Sequence, residues 1–181
     1  YLAGCDEPEA GLVLVPGRKH GEAILFCRER DLEREAWDGP RLGPEGAVAA
    51  LGLDDAYPIA DIDEILPGLL EGRRRVHYHL GRDADFDLKL IGWLNRVRAQ
   101  VRQGAQPPQE FLELGHLLDE LRLFKSADEL RLMQQAADIS VQAHRAALRA
   151  ARVGMHEFEL QAELEYVFRK HGAQPAYASI V

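Results

Sequence analysis

His77 and His79 stand at i and i+2, so any strand that contains them puts both on one face, and two imidazoles so placed can share a metal ion. The run Val76-His77-Tyr78-His79-Leu80 alternates in polarity. That predicts a strand with Val76, Tyr78 and Leu80 inward and both histidines toward solvent, which is the stronger reading. No H-E-x-x-H occurs anywhere. Asp83, Asp85 and Asp87 mimic the start of a calcium loop. The positions that such a loop reserves for glycine and glutamate hold Leu88 and Leu94, so the calcium reading fails and a cluster of acids at a helix start explains them. Glu157, Glu159, Glu163 and Glu165 read as a charged helix face rather than paired carboxylates for acid–base work. Ser179 lies in no G-x-S-x-G context, and the glycines match neither a phosphate loop nor a dinucleotide fingerprint. Local chemistry therefore assembles no complete active site.

The elements that would position these residues follow from periodicity. Leu12-Val13-Leu14-Val15 and Ala23-Ile24-Leu25-Phe26-Cys27 are short apolar runs separated by Pro16-Gly17 and a polar loop, which predicts a hairpin of buried strands. A charged stretch follows, then a turn at Trp37-Asp38-Gly39-Pro40. Residues 44–51 read as a short helix closed by Gly52. Residues 61–70 read as another, with Ile62, Ile65, Leu66 and Leu69 on one side and Pro67 set to shorten or kink it. Asp83 or Asp85 caps a long helix to about residue 102, with Phe86, Leu90, Leu94, Val97 and Val101 inward. Residues 104–108 form the one linker-like segment. Residues 111–114 read as extended and residues 116–122 as helical. Strands alternating with helices over residues 1–104 predict a mixed α/β layer domain.

Ser126 and Glu129 form an S-x-x-E capping box, in which the hydroxyl takes an amide at the helix start and the carboxylate reaches back. Leu130, Met133, Ala137, Val141 and Leu148 then recur at helical spacing. His144 shares that stripe, where a buried, satisfied histidine is expected. A second helix follows Val153-Gly154-Met155, acidic at its start, basic at its end and stopped by Gly172.

The chain has 181 residues, 46% apolar and 29% charged, which suits an ordinary globular protein of one large or two small domains. A net charge of −8 argues against nucleic acid as a partner, and the arginines at 73–75 and 96–102 read as solvated faces. Cys5 and Cys27 are far apart and form no C-x-x-C, so neither a disulfide scaffold nor a zinc site is expected, and a reducing cytoplasm is the default. No apolar run is long enough to span a membrane, and no signal peptide opens the chain. The chain begins at Tyr1 without a methionine and closes on Ala176-Tyr177-Ala178-Ser179-Ile180-Val181, which reads as a strand. Both ends read as cuts, so an internal piece of a longer protein is expected.

Several strings, taken in order, resemble bacterial aminopeptidase P, the Xaa-Pro aminopeptidase of the creatinase and methionine aminopeptidase ("pita-bread") superfamily. They are Tyr1-Leu2-x-Gly4-x-x-Glu7-Pro8-Glu9-Ala10, Leu25-Phe26-x-Arg28-x-Arg30-Asp31 and Glu35-x-Trp37-x-Gly39, then Leu121-Arg122-Leu123-Phe124-Lys125-Ser126 and Ala143-His144. Glu163-Leu164-Glu165 with Phe168-Arg169, and Pro175-Ala176-Tyr177-x-Ser179-Ile180-Val181, complete the set. The resemblance implies an α/β fold in two parts. Residues 1–120 would be a creatinase-like mixed-sheet domain without its opening segment. Residues 121–181 would be the first helices and first strand of a truncated pita-bread (α+β) catalytic domain.

The implied reaction is hydrolysis of the bond between an N-terminal residue and a following proline, a tertiary amide with no N–H. The implied cofactor is a pair of manganese ions bridging the attacking hydroxide. Their ligands in the family are two aspartates, a histidine and two glutamates, all beyond the point matching Val181, so no catalytic residue and no metal ligand is assigned here and the span alone is expected to be inactive. By resemblance, Trp37 lines the substrate pocket and Arg122 lies beside it; the plainer readings are a packing tryptophan at a turn and a surface ion pair. The chain departs from the usual pattern at Cys5, Asp38 and Gln174. Implied partners are peptides with proline second and further copies of the chain, as a dimer or tetramer. A proline dipeptidase or creatinase-type hydrolase, or a binding protein on the same scaffold without metals, are the alternatives.

Overall fold

The structure, a computed structural model, describes residues 2–180. Tyr1 and Val181, which belong to the first and last of the resembling strings, lie outside the described residues. The chain divides into two compact units, Tyr1–His116 and Leu117–Val181.

The first unit is organised by one strand. β1 (Gly11–Leu14) pairs antiparallel with β2 (Ala23–Cys27), and β2 pairs parallel with β3 (Asp55–Pro58), giving a mixed sheet in the order β1-β2-β3. β2 is central, which explains its unbroken apolar run: alternate residues face opposite sides and both sides are covered. Ile24 and Phe26 join Leu66 and Leu70 of α3 (Ile62–Leu70) and Leu90, Trp93, Leu94 and Val97 of α4 (Ala84–Ala99). Leu25 and Cys27 face the other way, against Ala47 of α2 (Gly43–Leu51). β4 (Arg75–Tyr78) and β5 (Glu110–Glu113) form a separate parallel pair. The β1–β2 connection is locked by Asp54, whose Oδ2 accepts the amides of Glu22 at 2.8 Å and Ala23 at 2.9 Å. Gly21 there has φ +95°, and a Cβ on it would lie 2.2 Å from the Asp54 Cβ, so only glycine fits.

The hairpin, the helices at 44–51 and 61–70 and the long capped helix form where expected. Asp83 is the cap of α4, accepting from the Phe86 amide at 3.0 Å. Pro67 does not break α3. Three readings are corrected, and one strand is added. The stretch ending at Trp37-Asp38 is a helix, α1 (Leu32–Asp38), because Asp31 caps it and Gly39 ends it; the turn begins only at Gly39. β3 had no sequence signal, and pairing with β2 creates it. In α4, Leu90, Leu94 and Val97 are buried as expected, but Trp93, 2% exposed, joins them, while Val101 lies past the helix end and faces solvent. Leu80 lies beyond the end of β4 and is 67% exposed, so alternation no longer turns it inward.

The second unit contains α6 (Ala127–Ala150) packed against α7 (Glu157–Lys170). The capping box is complete: Glu129 N donates to Ser126 Oγ at 3.2 Å, and Ser126 N donates to Glu129 Oε2 at 2.7 Å. Ala143 is the buried point of α6, and its small side chain lets another helix come close. His144 is exposed rather than buried, its Nδ1 lying 2.8 Å from the Ser140 carbonyl. The stripe Leu130, Met133, Val141 and Leu148 is likewise exposed. Residues 171–180 form turns and bends. The strand expected over 176–181 is not present among the described residues, where it has no partner strand to take its backbone hydrogen bonds.

Candidate functional site

Each expected site residue sits at the end of a short helix. Trp37 is in the last turn of α1, whose start is built from charge. Asp31 Oδ1 accepts the Arg34 amide at 3.1 Å, and Glu35 Oε1 accepts the Asp31 amide at 3.1 Å. Arg30 grips Glu35 in a two-pronged pair, Nε to Oε1 at 3.1 Å and a terminal nitrogen to Oε2 at 2.8 Å. That donor pair holds the Glu35 carboxyl down at about 2. The result is a rigid stub that presents Trp37 at 89% exposure, so the ring contributes little to the core of its own unit.

Beside α1 opens a cleft of about 640 Å³, whose walls include Arg34, one turn before Trp37, and Asp38, directly after it. Arg28, Arg30 and Arg41 line it together with Glu29, Asp31 and Asp38, so its walls carry both signs of charge. Arg41 is the covered one, its side chain 9% exposed; it donates to Asp38 Oδ2 at 3.3 Å and to the Glu29 carbonyl at 3.4 Å. Arg30 is backed closely: Gly43 has φ +66°, and a Cβ there would meet Arg30 Cγ at 2.7 Å. Paired charges next to an exposed indole can seat the polar backbone and an apolar ring of a peptide. The sequence marks Arg28, Arg30, Asp31 and Glu35 as parts of the resembling strings but does not show that they line one cleft. The available signal was Asp31 with Glu35 four residues on, a capped helix start.

Arg122 lies in the last turn of α5 (Gly115–Leu123), and its carbonyl accepts from Lys125 Nζ. It is exposed, as are Leu123 and Phe124 after it. Within the second unit a groove of about 300 Å³ runs between α6 and α7, walled by Arg145, Arg149, Tyr166 and Lys170.

The histidine pair divides. His77 faces solvent, and His79 Nδ1 pairs with Glu113 Oε1 at 2.6 Å, an oxygen that also accepts the Gly115 amide at 2.9 Å. That amide, with the imidazole next, holds the Glu113 carboxyl below its usual range. Among the described residues no group of three or more His, Cys, Asp and Glu side chains could hold a metal ion, so these residues do not by themselves fit one.

Comparison with known proteins places this geometry. Residues 1–78 match the family described as aminopeptidase P, N-terminal domain, and residues 131–181 match metallopeptidase family M24. Over its whole length the chain is 37% identical to Xaa-Pro aminopeptidase of Escherichia coli (strain K12), covering 42% of that protein. The structure of Pseudomonas aeruginosa aminopeptidase PepP matches 99% of the chain at 58% identity and TM-score 0.96, and the chain covers 41% of it. A variant of Escherichia coli aminopeptidase P in complex with substrate matches 94% of the chain at 36% identity and TM-score 0.88, with 39% of that structure covered. The chain thus spans about two fifths of the length of the relatives it matches.

Proposed function

We propose, from the match of residues 1–78 to the aminopeptidase P N-terminal domain and of residues 131–181 to metallopeptidase family M24, that the chain is part of a metal-dependent Xaa-Pro aminopeptidase. The reaction is hydrolysis of the bond between an N-terminal residue and a following proline. The observation that carries this reading is the match of nearly the whole chain to an aminopeptidase structure at TM-score 0.96 and 58% identity. The substrate is a peptide with proline second. The proline ring gives the pocket an apolar surface to recognise, and the missing N–H removes a hydrogen bond that other peptide bonds offer.

In this reading Trp37 lines the substrate pocket and Arg122 lies beside it. The 89% exposure of Trp37 supports the pocket over a packing role, since a ring that holds a core is covered. The cofactor is a pair of manganese ions, held by residues other than those of this chain, and residues 1–181 alone are inactive. The working form is a homo-oligomer, dimer or tetramer. Its compartment is the cytoplasm, in keeping with two free cysteines. Among the described residues no helix is long and apolar enough to cross a membrane.

The deciding experiment gives the intact protein a tripeptide with proline second, after chelation and again after manganese is restored. Cleavage lost and regained supports the reading. Cleavage of a Xaa-Pro dipeptide alone would assign a proline dipeptidase, and no cleavage of either would leave a creatinase-type hydrolase or a binding protein.

A further inference from the structure

Cys5 and Cys27 are distant in sequence but share one small apolar cluster in the fold. Along the segment before β1 exposure alternates, with Ala3, Cys5 and Glu7 turned toward the protein and Leu2, Gly4 and Asp6 toward solvent. Glu7 fastens this segment: Oε1 accepts the Leu42 amide at 2.7 Å, and Oε2 lies 3.6 Å from the Arg28 guanidinium. Arg28 directly follows Cys27, so the fastening brings Cys5 to the end of β2. There Cys5 packs against the small cluster of Leu25, Cys27 and Ala47. Both thiols are free, Cys27 buried and Cys5 partly exposed. Among the described residues neither belongs to a group able to hold a metal ion, which leaves thiol chemistry.

We propose that Cys5 and Cys27 form a redox pair that a hydroperoxide closes into a disulfide, tying the segment before β1 to β2. Cys5, the accessible partner, attacks a peroxide oxygen as thiolate. A sulfur–oxygen bond forms, the oxygen–oxygen bond breaks, and the outer oxygen leaves, after protonation, as water or an alcohol. Cys27 then attacks the Cys5 sulfur, the sulfur–sulfur bond forms, and the hydroxide that leaves takes up the Cys27 thiol proton to become water. Two thiols give up two electrons and two protons, and the peroxide takes both. Burial, with the Glu7 carboxylate and Cys5 adding to it, pushes the Cys27 thiol up, which keeps it protonated and disfavours it as the first group to attack the peroxide. In a reducing compartment the pair stays open until peroxide rises.

The test oxidises the intact protein with hydrogen peroxide, alkylates the remaining thiols after denaturation, and weighs the proteolytic peptides. The expected product is a cross-linked pair of peptides containing Cys5 and Cys27, lighter by two hydrogens and separated by a dithiol reductant. Cys27→Ser should instead build up sulfenic acid on Cys5, trapped by dimedone, and Cys5→Ser should leave Cys27 open to alkylation. The proposal is overturned if both wild-type thiols remain free, if Cys5 advances to sulfinic acid while Cys27 stays reduced, or if Cys5 links only to a second chain.

Discussion

Arg96 of α4 donates to the backbone carbonyl of Asp63 in α3 at 2.6 Å. In an unbroken helix that carbonyl would take the amide four residues on, but the residue there is Pro67, which has no N–H to give. The guanidinium therefore serves the acceptor that the proline strands. Trp93 adds a second tie to the same residue, its Nε1–H meeting Asp63 Oδ1 at 2.8 Å.

Arg96→Ala should destabilise the first unit by about 1 kcal/mol in urea unfolding. In a Pro67→Ala background, where the helix supplies its own amide, the same change should cost measurably less. Equal costs in both backgrounds would show that the two residues are not coupled.

Asp63→Ala removes the partner of an indole N–H on a side chain that is nearly sealed from water. The expected loss is roughly 1–3 kcal/mol, with Asp63→Asn losing less because it keeps an acceptor. Denaturant midpoints for the pair of variants, at unchanged slope, are the measurement.

Glu35 predicts an acid response. The hydrogen bonds from Arg30 lower its carboxyl from an ordinary 4.5 to about 2. A depressed carboxyl contributes stability that is complete above its unfolded value and lost as pH falls toward the folded one. Wild type should therefore lose melting temperature between pH 4.5 and about 2 more steeply than Glu35→Gln, and the two curves should converge at the acid end. Parallel curves would show that the pair adds nothing to folding.

Trp37→Ala separates pocket from packing. So exposed a ring should change stability by less than about 0.5 kcal/mol. In the intact protein, kcat/KM for a peptide with proline second should nevertheless fall roughly tenfold or more, about 1.4 kcal/mol of transition-state binding. A thermal shift of several degrees with unchanged kinetics would return Trp37 to a packing role.

Leu130, Met133, Val141 and Leu148 on α6, with Phe158 on α7, are all exposed in this chain. Apolar surface of that kind is seldom left open on a soluble monomer. Residues 1–181 made alone should self-associate, and Leu130→Glu with Leu148→Glu should move the sedimentation profile toward monomer. A monodisperse monomer that melts cooperatively without those changes would contradict this.

The sequence by itself determined the elements whose signals are local. The β1–β2 hairpin, the Asp83 cap of α4 and the Ser126–Glu129 box were all legible, because a cap or a periodic stripe is written in residues a few positions apart. The family was legible in the same way, as short strings in order. Tertiary structure decided what depends on residues far apart in the chain. β3 exists because β2 offers it an edge, and Asp55-Ala56-Tyr57-Pro58 carries no strand pattern of its own. The same holds for the Arg96 that answers Pro67 and for the packing of Cys5 against the cluster that contains Cys27. His144 and its apolar stripe mark the boundary. The period correctly shows which helix face they share, but burial of that face requires a surface to cover it, and none among the described residues does so. Periodicity records which side chains point the same way. Only packing decides what they point at, because burial is a relation between elements and not a property of one.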